Sequence, residues 1–202
     1  METTGIIILA AGASERLGTP KQQLPFRHKS LLQNAVHTAC QSDNGMPVVV
    51  VLGAFATQIG QQLAAEKVNT VVNPNWPRGM GSSIKTGVQH LLRISPHVSS
   101  ALLLLCDQPF VNAALLNEMY KLKAASRQPL VACSYGDTIG PPAIFDKSFF
   151  PRLLSLNGQE GAKKILLQHP AETAVRSFPQ CVVDIDTTGD YEQLLSSARN
   201  PA

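Results

Sequence analysis

Five short, continuous apolar runs separated by amphipathic segments constrain the fold of this chain more than any other feature. Buried strands are predicted at residues 5–11, 47–53, 68–73, 101–107 and 129–134. Strands that are apolar on both faces are typical of parallel sheets covered by helices on both sides. Helical spacing of apolar residues links the runs, over residues 30–42, 54–66, 81–94 and 112–126. The alternation predicts an α/β fold, a doubly wound, mostly parallel Rossmann-like sheet with right-handed crossovers and helices on both faces.

The pattern is less regular after residue 134. A Gly-Pro-Pro sequence at 140–142 predicts a loop, and the Ala-Ile-Phe that follows it predicts a short strand. Residues 146–169 predict two helices with a break between them at an Asn-Gly pair. The tail, residues 181–195, predicts a last strand followed by a terminal helix.

Size and composition narrow the class of protein. The chain has 202 residues, of which 44% are hydrophobic and 15% charged, and no linker or repeat divides it. We therefore expect one globular domain over residues 1–202. The net charge of +3 comes without a basic run, which argues against binding of extended nucleic acid.

Cysteine spacing and the first apolar run indicate the compartment. The four cysteines are far apart and form no C-x-x-C pair, a pattern that favours buried thiols over a zinc site or a disulfide scaffold. The run at residues 6–11 is too short to span a membrane, and no basic region precedes it. We expect a cytoplasmic protein without a membrane partner.

The loop after the first run carries the first candidate site. Ligands of open parallel sheets bind beyond the carboxyl ends of the strands. Gly12 and Gly18 would let the backbone approach an anion, Arg16 offers a planar fork and Lys21 a compact charge. The spacing fits neither G-x-x-x-x-G-K nor G-x-G-x-x-G. Either the loop holds a triphosphate, or it is an ordinary strand-to-helix turn with solvated charges.

Aspartates follow two other predicted strands. Asp107 comes directly after a very apolar run, where a carboxylate needs water, a cation or a metal as its partner. Asp184 and Asp186 lie two residues apart, so both would lie on one face of the predicted last strand. Mg²⁺ commonly takes one or two carboxylates together with substrate phosphates. These three residues are candidate magnesium ligands, and the alternative is that they cap helices.

A second glycine-rich segment, at residues 73–87, leads into a predicted helix. Its small residues, Gly79, Gly81, Ser82 and Ser83, would fit around a flat nucleotide base and bond it through backbone and hydroxyl groups. The competing interpretation is a helix N-terminus capped by Ser82.

These segments together resemble the MobA-like nucleotidyltransferases, and among them most closely the molybdenum cofactor cytidylyltransferases. The family signature L-A-A-G-x-S-x-R-x-G-x-x-K is matched throughout, by Leu9, Ala10, Ala11, Gly12, Ser14, Arg16, Gly18 and Lys21. The segment WPRGMGSSIKTG resembles the family's base-binding segment, CDQP its metal-binding aspartate turn, and DIDTTGDY its D-I-D-T-P-E-D-Y segment. All four occur in the family's order.

The resemblance implies a fold like that of the nucleotide-diphospho-sugar transferases and a reaction. A nucleoside monophosphate would pass from a nucleoside triphosphate to a phosphorylated acceptor, with Mg²⁺ as cofactor and pyrophosphate as product. Arg16, Lys21 and Asp107 would be the catalytic residues. Ala11, where guanylyltransferases tend to carry glycine, favours CTP. The acceptor implied is a molybdopterin-type cofactor, which would be delivered to a molybdoenzyme.

One segment departs from the family pattern. Where the family commonly reads L-x-G-D-x-G-A-R, this chain reads LNGQEGAK, so that Gln159 replaces an aspartate and Lys163 an arginine. Lysine can meet an anion but not bidentately. This leaves a sugar phosphate or another small phosphorylated compound open as acceptor, and a nucleotide-binding module without catalysis as a third interpretation.

Overall fold

A computed structural model describes residues 3–199 of the chain. The elements in chain order are β1 (Thr4–Ala10), β2 (Pro25–Phe26), β3 (Lys29–Ser30), α1 (Leu31–Cys40), β4 (Gly45–Leu52), α2 (Ala56–Gln62), β5 (Asn69–Val72), α3 (Met80–Ile94), β6 (Ser100–Leu105), α4 (Ala113–Ser126), β7 (Leu130–Tyr135), β8 (Thr138–Asp146), α5 (Phe150–Leu154), α6 (Lys163–Gln168), β9 (Thr173–Ser177) and α7 (Thr188–Arg199). Within that described part of the chain, no helix combines the length and the apolar character needed to cross a membrane.

Seven strands form one sheet in the order β5-β4-β1-β6-β8-β7-β9, and β2 and β3 form a separate two-stranded pair. The pairs β5–β4, β4–β1, β1–β6 and β7–β9 are parallel, whereas β8 is antiparallel to both of its neighbours. The mostly parallel sheet predicted from the apolar runs is thereby confirmed.

Strand β1 shows why both faces of the sheet are apolar. Ile6, Ile8 and Ala10 pack on the face covered by α1, α2 and α4. Ile7 and Leu9 pack on the opposite face, which α3, α5 and α6 cover. Because successive side chains of a strand point to opposite faces, a strand covered on both sides must be apolar at every position. The doubly wound arrangement follows from this burial.

The strand order places a crevice beside β1. The chain winds outward from β1 through β4 to β5, and α3 then returns it to β6 on the other side of β1. Leu9 is in register with both Val51 and Leu105, so the carboxyl ends of these three strands lie at one edge of the sheet. Ligands of open α/β sheets bind at such a switch point.

The predicted last strand is wrong. Pro179–Val182 form a 3-10 turn, and no strand is found over residues 183–186. A strand of the sheet would bury its valines, but Val182 is 63% exposed. Ile185 is instead buried in a small separate core with Leu24 and Leu194, which packs the β2–β3 pair against α7. This core carries the 184–186 segment to the edge of the crevice, where Ile185 N–H donates to the Asp107 carbonyl at 3.3 Å.

Four further elements differ from prediction. The loop predicted at 140–142 lies inside β8, where the two prolines occupy the register shift opposite Ala132 and Cys133, a position where a strand tolerates proline. Strand β9 was not predicted, because it is a short edge strand whose Val175 is 47% exposed. The two helices predicted over 146–169 are present but shorter, as α5 and α6.

Candidate active site

The loop that follows β1 forms a tight turn. Ser14 adopts a left-handed φ of 56°, and its carbonyl accepts hydrogen bonds from the N–H groups of Leu17 and Gly18 at 3.0 and 3.2 Å. The Ser14 hydroxyl accepts the N–H of Lys21 at 3.0 Å. Lys21 begins a 3-10 turn, Lys21–Gln23, which is thereby fastened to the loop. One short, hydrogen-bonded segment therefore carries two positive side chains, those of Arg16 and Lys21.

Four charged side chains from three parts of the chain meet at the crevice. The Lys21 Nζ lies 2.5 Å from Asp107 Oδ2 and 2.8 Å from Asp186 Oδ1. The Arg16 Nη2 lies 2.7 Å from Asp186 Oδ2. Lys21 and Asp107 are mostly buried, whereas Arg16 is exposed. We call this series Arg16–Asp186–Lys21–Asp107 the charged chain.

The pKa values reflect this crowding. Burial lowers the pKa of Lys21, but the Asp107 charge and the hydrogen bonds to Asp107 and Asp186 outweigh burial and raise it above the usual lysine range. The hydrogen bond from Lys21 is the largest effect that lowers the pKa of Asp186. Asp184 is exposed as a whole residue, yet partial burial of its carboxyl group, followed by the charges of Asp107 and Asp186, raises its pKa to about 6.

The carboxylates can be tested as ligands for Mg²⁺. The Oδ1 atom of Asp107 is buried and has no hydrogen-bond partner, although its Oδ2 atom contacts Lys21. No three His, Cys, Asp or Glu side chains within residues 3–199 are grouped closely enough to hold a metal by themselves. Mg²⁺ usually takes one or two carboxylates and completes its shell with phosphates and water. The donor set fits a magnesium ion that arrives with a phosphorylated ligand.

A cavity of about 550 Å³ opens beside the charged chain. Its lining comes from the opening loop, from the 76–83 segment, from the end of β6 and from two further loops: residues 9–16, Lys21, Gln22, Trp76, Pro77, Gly79, Met80, Ser83, Leu105, Cys106, Gln159 and Asp186. The opening loop and the second glycine-rich segment are therefore two walls of one cavity.

Asn73 organises the second wall. Its side-chain nitrogen donates to the hydroxyls of Ser82 and Ser83 at 2.8 and 3.0 Å. The Ser82 hydroxyl lies 2.8 Å from the carbonyls of both Asn75 and Gly79, to either of which it can donate. Helix α3 begins after Gly79 without a side-chain cap. The prediction of Ser82 as the cap is therefore wrong, because its hydroxyl serves these contacts instead.

Glycines let the second wall approach the 157–160 loop. Gly79 has φ +102°, and a Cβ on it would lie 2.4 Å from the carbonyl oxygen of Gly158. The Gly81 N–H donates to that same carbonyl at 3.1 Å, and a Cβ on Gly81 would lie 3.1 Å from the nitrogen of Asn157. Backbone packs on backbone here, and this contact brings Gln159 to the cavity.

The structure brings most of the predicted site residues to the cavity, with five exceptions. Gly18 lies in the exposed turn with φ +67°. Gly81 and Ser82 lie in the second wall and make the contacts given above. Asp107 reaches the site through Lys21, and Asp184 lies close enough to Asp107 and Asp186 for their charges to raise its pKa.

Gln22, Asn73 and Trp76 are among the lining or supporting residues that were not predicted. Gln22 is buried and donates to backbone carbonyls of the opening loop. Asn73 is buried at the base of the second wall. Trp76, the only tryptophan in the chain, lines the cavity. Burial of the two amides depends on partners distant in sequence, so only the single tryptophan beside a glycine-rich segment offered a signal.

Known proteins are similar to this chain in sequence over most of its length. The model of the MobA-like NTP transferase domain matches residues 6–173. The chain is 32% identical to nicotine blue oxidoreductase of Paenarthrobacter nicotinovorans, over 94% of this chain and 95% of that protein. It is 28% identical to the purine catabolism protein PucB of Bacillus subtilis, over 93% and 94%. It is 20% identical to the molybdenum cofactor cytidylyltransferase of Escherichia coli, over 95% of each.

Solved structures agree with this match. The Rv0371c protein of Mycobacterium tuberculosis H37Rv superposes with a TM-score of 0.84 at 30% identity, covering 97% of this chain and 98% of that one. The same protein in complex with manganese superposes with a TM-score of 0.76 at 28% identity, covering 98% and 100%. The family match spans the opening loop, the second wall and Asp107. The chain is a nucleotidyltransferase and belongs to the MobA-like NTP transferase family.

Proposed function

We propose that this enzyme transfers CMP from CTP to the phosphate of a molybdopterin-type cofactor and releases pyrophosphate. The charged chain beside the 550 Å³ cavity is the observation that carries the proposal. It pairs cations suited to phosphates with carboxylates suited to a metal. A relative named molybdenum cofactor cytidylyltransferase supports the choice of acceptor. These substrates would place the reaction in the cytoplasm and would make a molybdoenzyme the recipient of the product.

Arg16 and Lys21 would hold the triphosphate. Both side chains border the cavity, and Lys21 keeps its charge because its pKa is raised above the usual range by Asp107 and Asp186 despite burial. The guanidinium of Arg16 can meet two phosphate oxygens at once, while the ammonium of Lys21 acts as a compact charge. Because Arg16 is exposed, it can turn from Asp186 toward a ligand at little cost.

Asp107, together with Asp186 or Asp184, would hold Mg²⁺. The unpartnered Oδ1 of Asp107 supplies one free donor atom. Rv0371c, whose structure is similar to this one, has been solved in complex with manganese, which is a divalent cation. When bound, the ion would neutralise phosphate charge at the reacting centre.

The chemistry then requires positioning more than proton transfer. An oxygen of the acceptor phosphate attacks the α-phosphorus of CTP and forms the new P–O bond. The bond from the α-phosphorus to the oxygen that bridges to the β-phosphorus breaks, and its electron pair leaves with pyrophosphate. A phosphate monoester is anionic near neutral pH, so no side chain has to remove a proton. Arg16 and Lys21 would stabilise the charge of the departing pyrophosphate.

Ala11 supports CTP as the nucleotide. It lies in the cavity lining and is only 6% exposed. A Cβ placed on Gly53 would lie 2.8 Å from the methyl of Ala11, so there is little free space between this methyl and Gly53. The methyl therefore limits the room for a base on that side, and the smaller pyrimidine suits this limit better than a purine.

Gln159 supports a second candidate, in which the acceptor is a sugar phosphate or another small phosphorylated compound. It lines the cavity at a position where the family commonly carries a carboxylate. Lys163, in place of an arginine, begins α6 and is exposed. An amide is neutral, and a lysine ammonium binds an anion as a single point charge. Together they would select a different acceptor than a carboxylate and a guanidinium would.

Pyrophosphate release tests the proposal. The purified protein would be incubated with Mg²⁺ and CTP, GTP or ATP, each with a molybdopterin-type acceptor or with sugar phosphates. We expect release with CTP that depends on the molybdopterin-type acceptor. Preference for GTP would contradict the argument from Ala11, and release only with sugar phosphates would establish the second candidate. Nucleotide binding without release would indicate a module without catalysis.

A control addresses the relative that is named as an oxidoreductase. The same preparations would be followed for oxidation of a reduced nicotinamide nucleotide in the presence of dye acceptors. We expect no oxidation above the rate of protein-free samples. Oxidation that the enzyme accelerates without any pyrophosphate release would contradict nucleotidyl transfer as the function of this cavity.

A further inference from the structure

We infer that Gln22 is a positioning residue that fixes the opening loop in its phosphate-binding conformation. This inference rests on the proposed function, since it assigns the loop to a triphosphate. Gln22 is 1% exposed and lies directly after Lys21 in the 3-10 turn. Neither the family signature nor the charged chain includes it.

The contacts of Gln22 define its orientation. Its Nε2 lies 3.0 Å from the carbonyl oxygen of Ala10 and 2.8 Å from that of Gly12. Carbonyl oxygens only accept hydrogen bonds, so the amide nitrogen must face them and donate one N–H to each. One side chain thereby holds two carbonyls on either side of Ala11.

The carbonyl between them is held from the opposite direction. The N–H of Ala54 donates to the Ala11 carbonyl at 3.1 Å. In an extended segment successive carbonyls point to opposite sides, and here Gln22 takes the outer two and Ala54 the middle one. Three consecutive carbonyl oxygens, from Ala10 to Gly12, are therefore engaged by protein donors.

This engagement matters because the expected ligand is an anion. A carbonyl oxygen carries partial negative charge, and a loop that turned one toward a triphosphate would repel it. Fixing the three carbonyls against donors keeps their negative ends on protein N–H groups rather than in the cavity. Gln22, which is almost fully buried, would act on the ligand through the loop.

Like the Nε2 of the neighbouring Gln23, one amide atom of Gln22 is left without a partner. Its Oε1 is buried and has no hydrogen-bond partner, which costs free energy relative to an apolar side chain of the same size. A methionine would avoid that cost but would lose both hydrogen bonds to the loop. The presence of glutamine fits a role in holding the loop.

The test compares two neighbouring glutamines of the same 3-10 turn. Gln22→Met removes both donors and keeps the length of the side chain. Gln23→Met is the matched control, since Gln23 faces α2, where its Oε1 accepts from Gln58 at 3.0 Å. We expect Gln22→Met to weaken CTP binding with Mg²⁺ about tenfold, as the loss of two hydrogen bonds predicts. Gln23→Met should remain within about twofold of the unaltered protein.

A third variant separates donation from shape. Gln22→Glu has nearly the same shape, but its carboxylate cannot donate to the two carbonyls and adds negative charge near the ligand. We expect it to bind CTP less well than Gln22→Met does. Affinity of Gln22→Glu equal to that of the unaltered protein would overturn the inference.

Amide hydrogen exchange measures how firmly the opening loop is held in the absence of any nucleotide. We expect faster exchange over residues 11–18 in Gln22→Met than in Gln23→Met, with exchange in β1 and the melting temperature alike in both. Unchanged exchange in this loop, or unchanged CTP affinity of Gln22→Met, would overturn the inference. Failure of the unaltered protein to bind any nucleoside triphosphate would overturn the proposed function and, with it, the ligand side of this inference.

Discussion

The two walls of the cavity are built by different physical means. The opening-loop wall is electrostatic: residues distant in sequence, such as Arg16, Lys21 and Asp186, are joined by ion pairs of 2.7 and 2.8 Å. The second wall is steric: Gly79 and Gly81 let the backbone of the 157–160 loop approach to contact distance. A substitution in the first wall removes a charge from a site that otherwise remains packed. A substitution in the second wall adds atoms where there is no space.

Because of this difference, substitutions in the two walls should affect different properties, turnover in one wall and stability in the other. Lys21 contacts both Asp107 and Asp186, so the loss of one carboxylate does not leave its buried charge without a partner. Backbone contacts at glycine are lost as soon as a side chain intrudes. We therefore expect variants of the charged wall to lose turnover while they stay folded, and variants of the glycine wall to lose stability first.

The largest effect is expected at Asp107. Asp107→Asn keeps the size of the side chain but removes the charge that Lys21 contacts and that a magnesium ion would need. We expect kcat to fall by roughly a thousandfold, at the upper end of what removal of one preorganised electrostatic group costs. Pyrophosphate release measures this, with circular dichroism to verify the fold.

Asp137→Asn, in the exposed turn between β7 and β8, is the matched control for the loss of one aspartate charge. Its turnover should equal that of the unaltered protein. If Asp107→Asn retained magnesium-dependent pyrophosphate release at a comparable rate, Asp107 would have no part in catalysis.

Next in size is a substitution in the second wall. Gly79→Ala places a methyl against the Gly158 carbonyl in a backbone region that only glycine adopts easily, so we expect unfolding free energy to fall by about 2–4 kcal/mol. Gly136→Ala is the control, since Gly136 also has a positive φ, of 54°, but nothing lies within 4 Å of its Cβ. It should lose only about 1 kcal/mol, the usual cost of the left-handed conformation.

Urea denaturation of the two glycine variants measures the difference. A loss at Gly79 no larger than that at Gly136 would mean that the contact with the 157–160 loop does not stabilise the wall.

A smaller effect is expected from Ala11, which borders the base rather than the phosphates. Ala11→Gly removes one methyl group, and a change of that size alters selectivity by about tenfold. We expect the ratio of kcat/KM for GTP to that for CTP to rise accordingly. Competition between the two nucleotides in one reaction measures it directly, and an unchanged ratio would remove Ala11 from base selection.

The smallest effect concerns the pH dependence of stability at Asp184. Its pKa is raised to about 6 in the folded protein from a usual value of 3.8. The folded state therefore binds more protons than the unfolded state between these values, and the stability contribution of protonated Asp184 is lost as pH rises through about 6. Asp184→Asn should remove that loss.

Melting temperatures at several pH values test this sign. The melting temperature of Asp184→Asn relative to the unaltered protein should rise by a few degrees from pH 4 to pH 7.5. A difference that stays constant across this range would show that burial and neighbouring charges do not disfavour the ionised form of Asp184.

Local pattern sufficed to predict the central strands. The apolar runs that became β1, β4 and β6 are buried on both faces, so hydrophobicity alone identifies them. Reliance on local pattern also explains why the strand predicted at residues 181–186 was wrong. The alternation of apolar and acidic residues in this segment resembles a strand, but Ile185 is buried in a separate core and Val182 is exposed. No local pattern distinguishes those two environments.

The candidate site shows a similar limit. Asp186 reaches Lys21 even though the strand assigned to it does not exist, because the small core around Ile185 fixes its position. The charged and glycine residues could be proposed from the sequence because their side-chain chemistry and backbone freedom are visible without any knowledge of their partners. Gln22 and Asn73 were missed because glutamine and asparagine are common on surfaces, and only their distant partners make them structural.

Transfer of the α-phosphorus is the most direct test of nucleotidyl transfer at this cavity. CTP labelled at the α-phosphorus would be incubated with Mg²⁺, the molybdopterin-type acceptor and the enzyme. We predict that the label appears in the acceptor product, in amounts equal to the pyrophosphate released, and that Asp107→Asn forms almost none. Label recovered only as free CMP, or product formed equally by Asp107→Asn, would contradict transfer by this site.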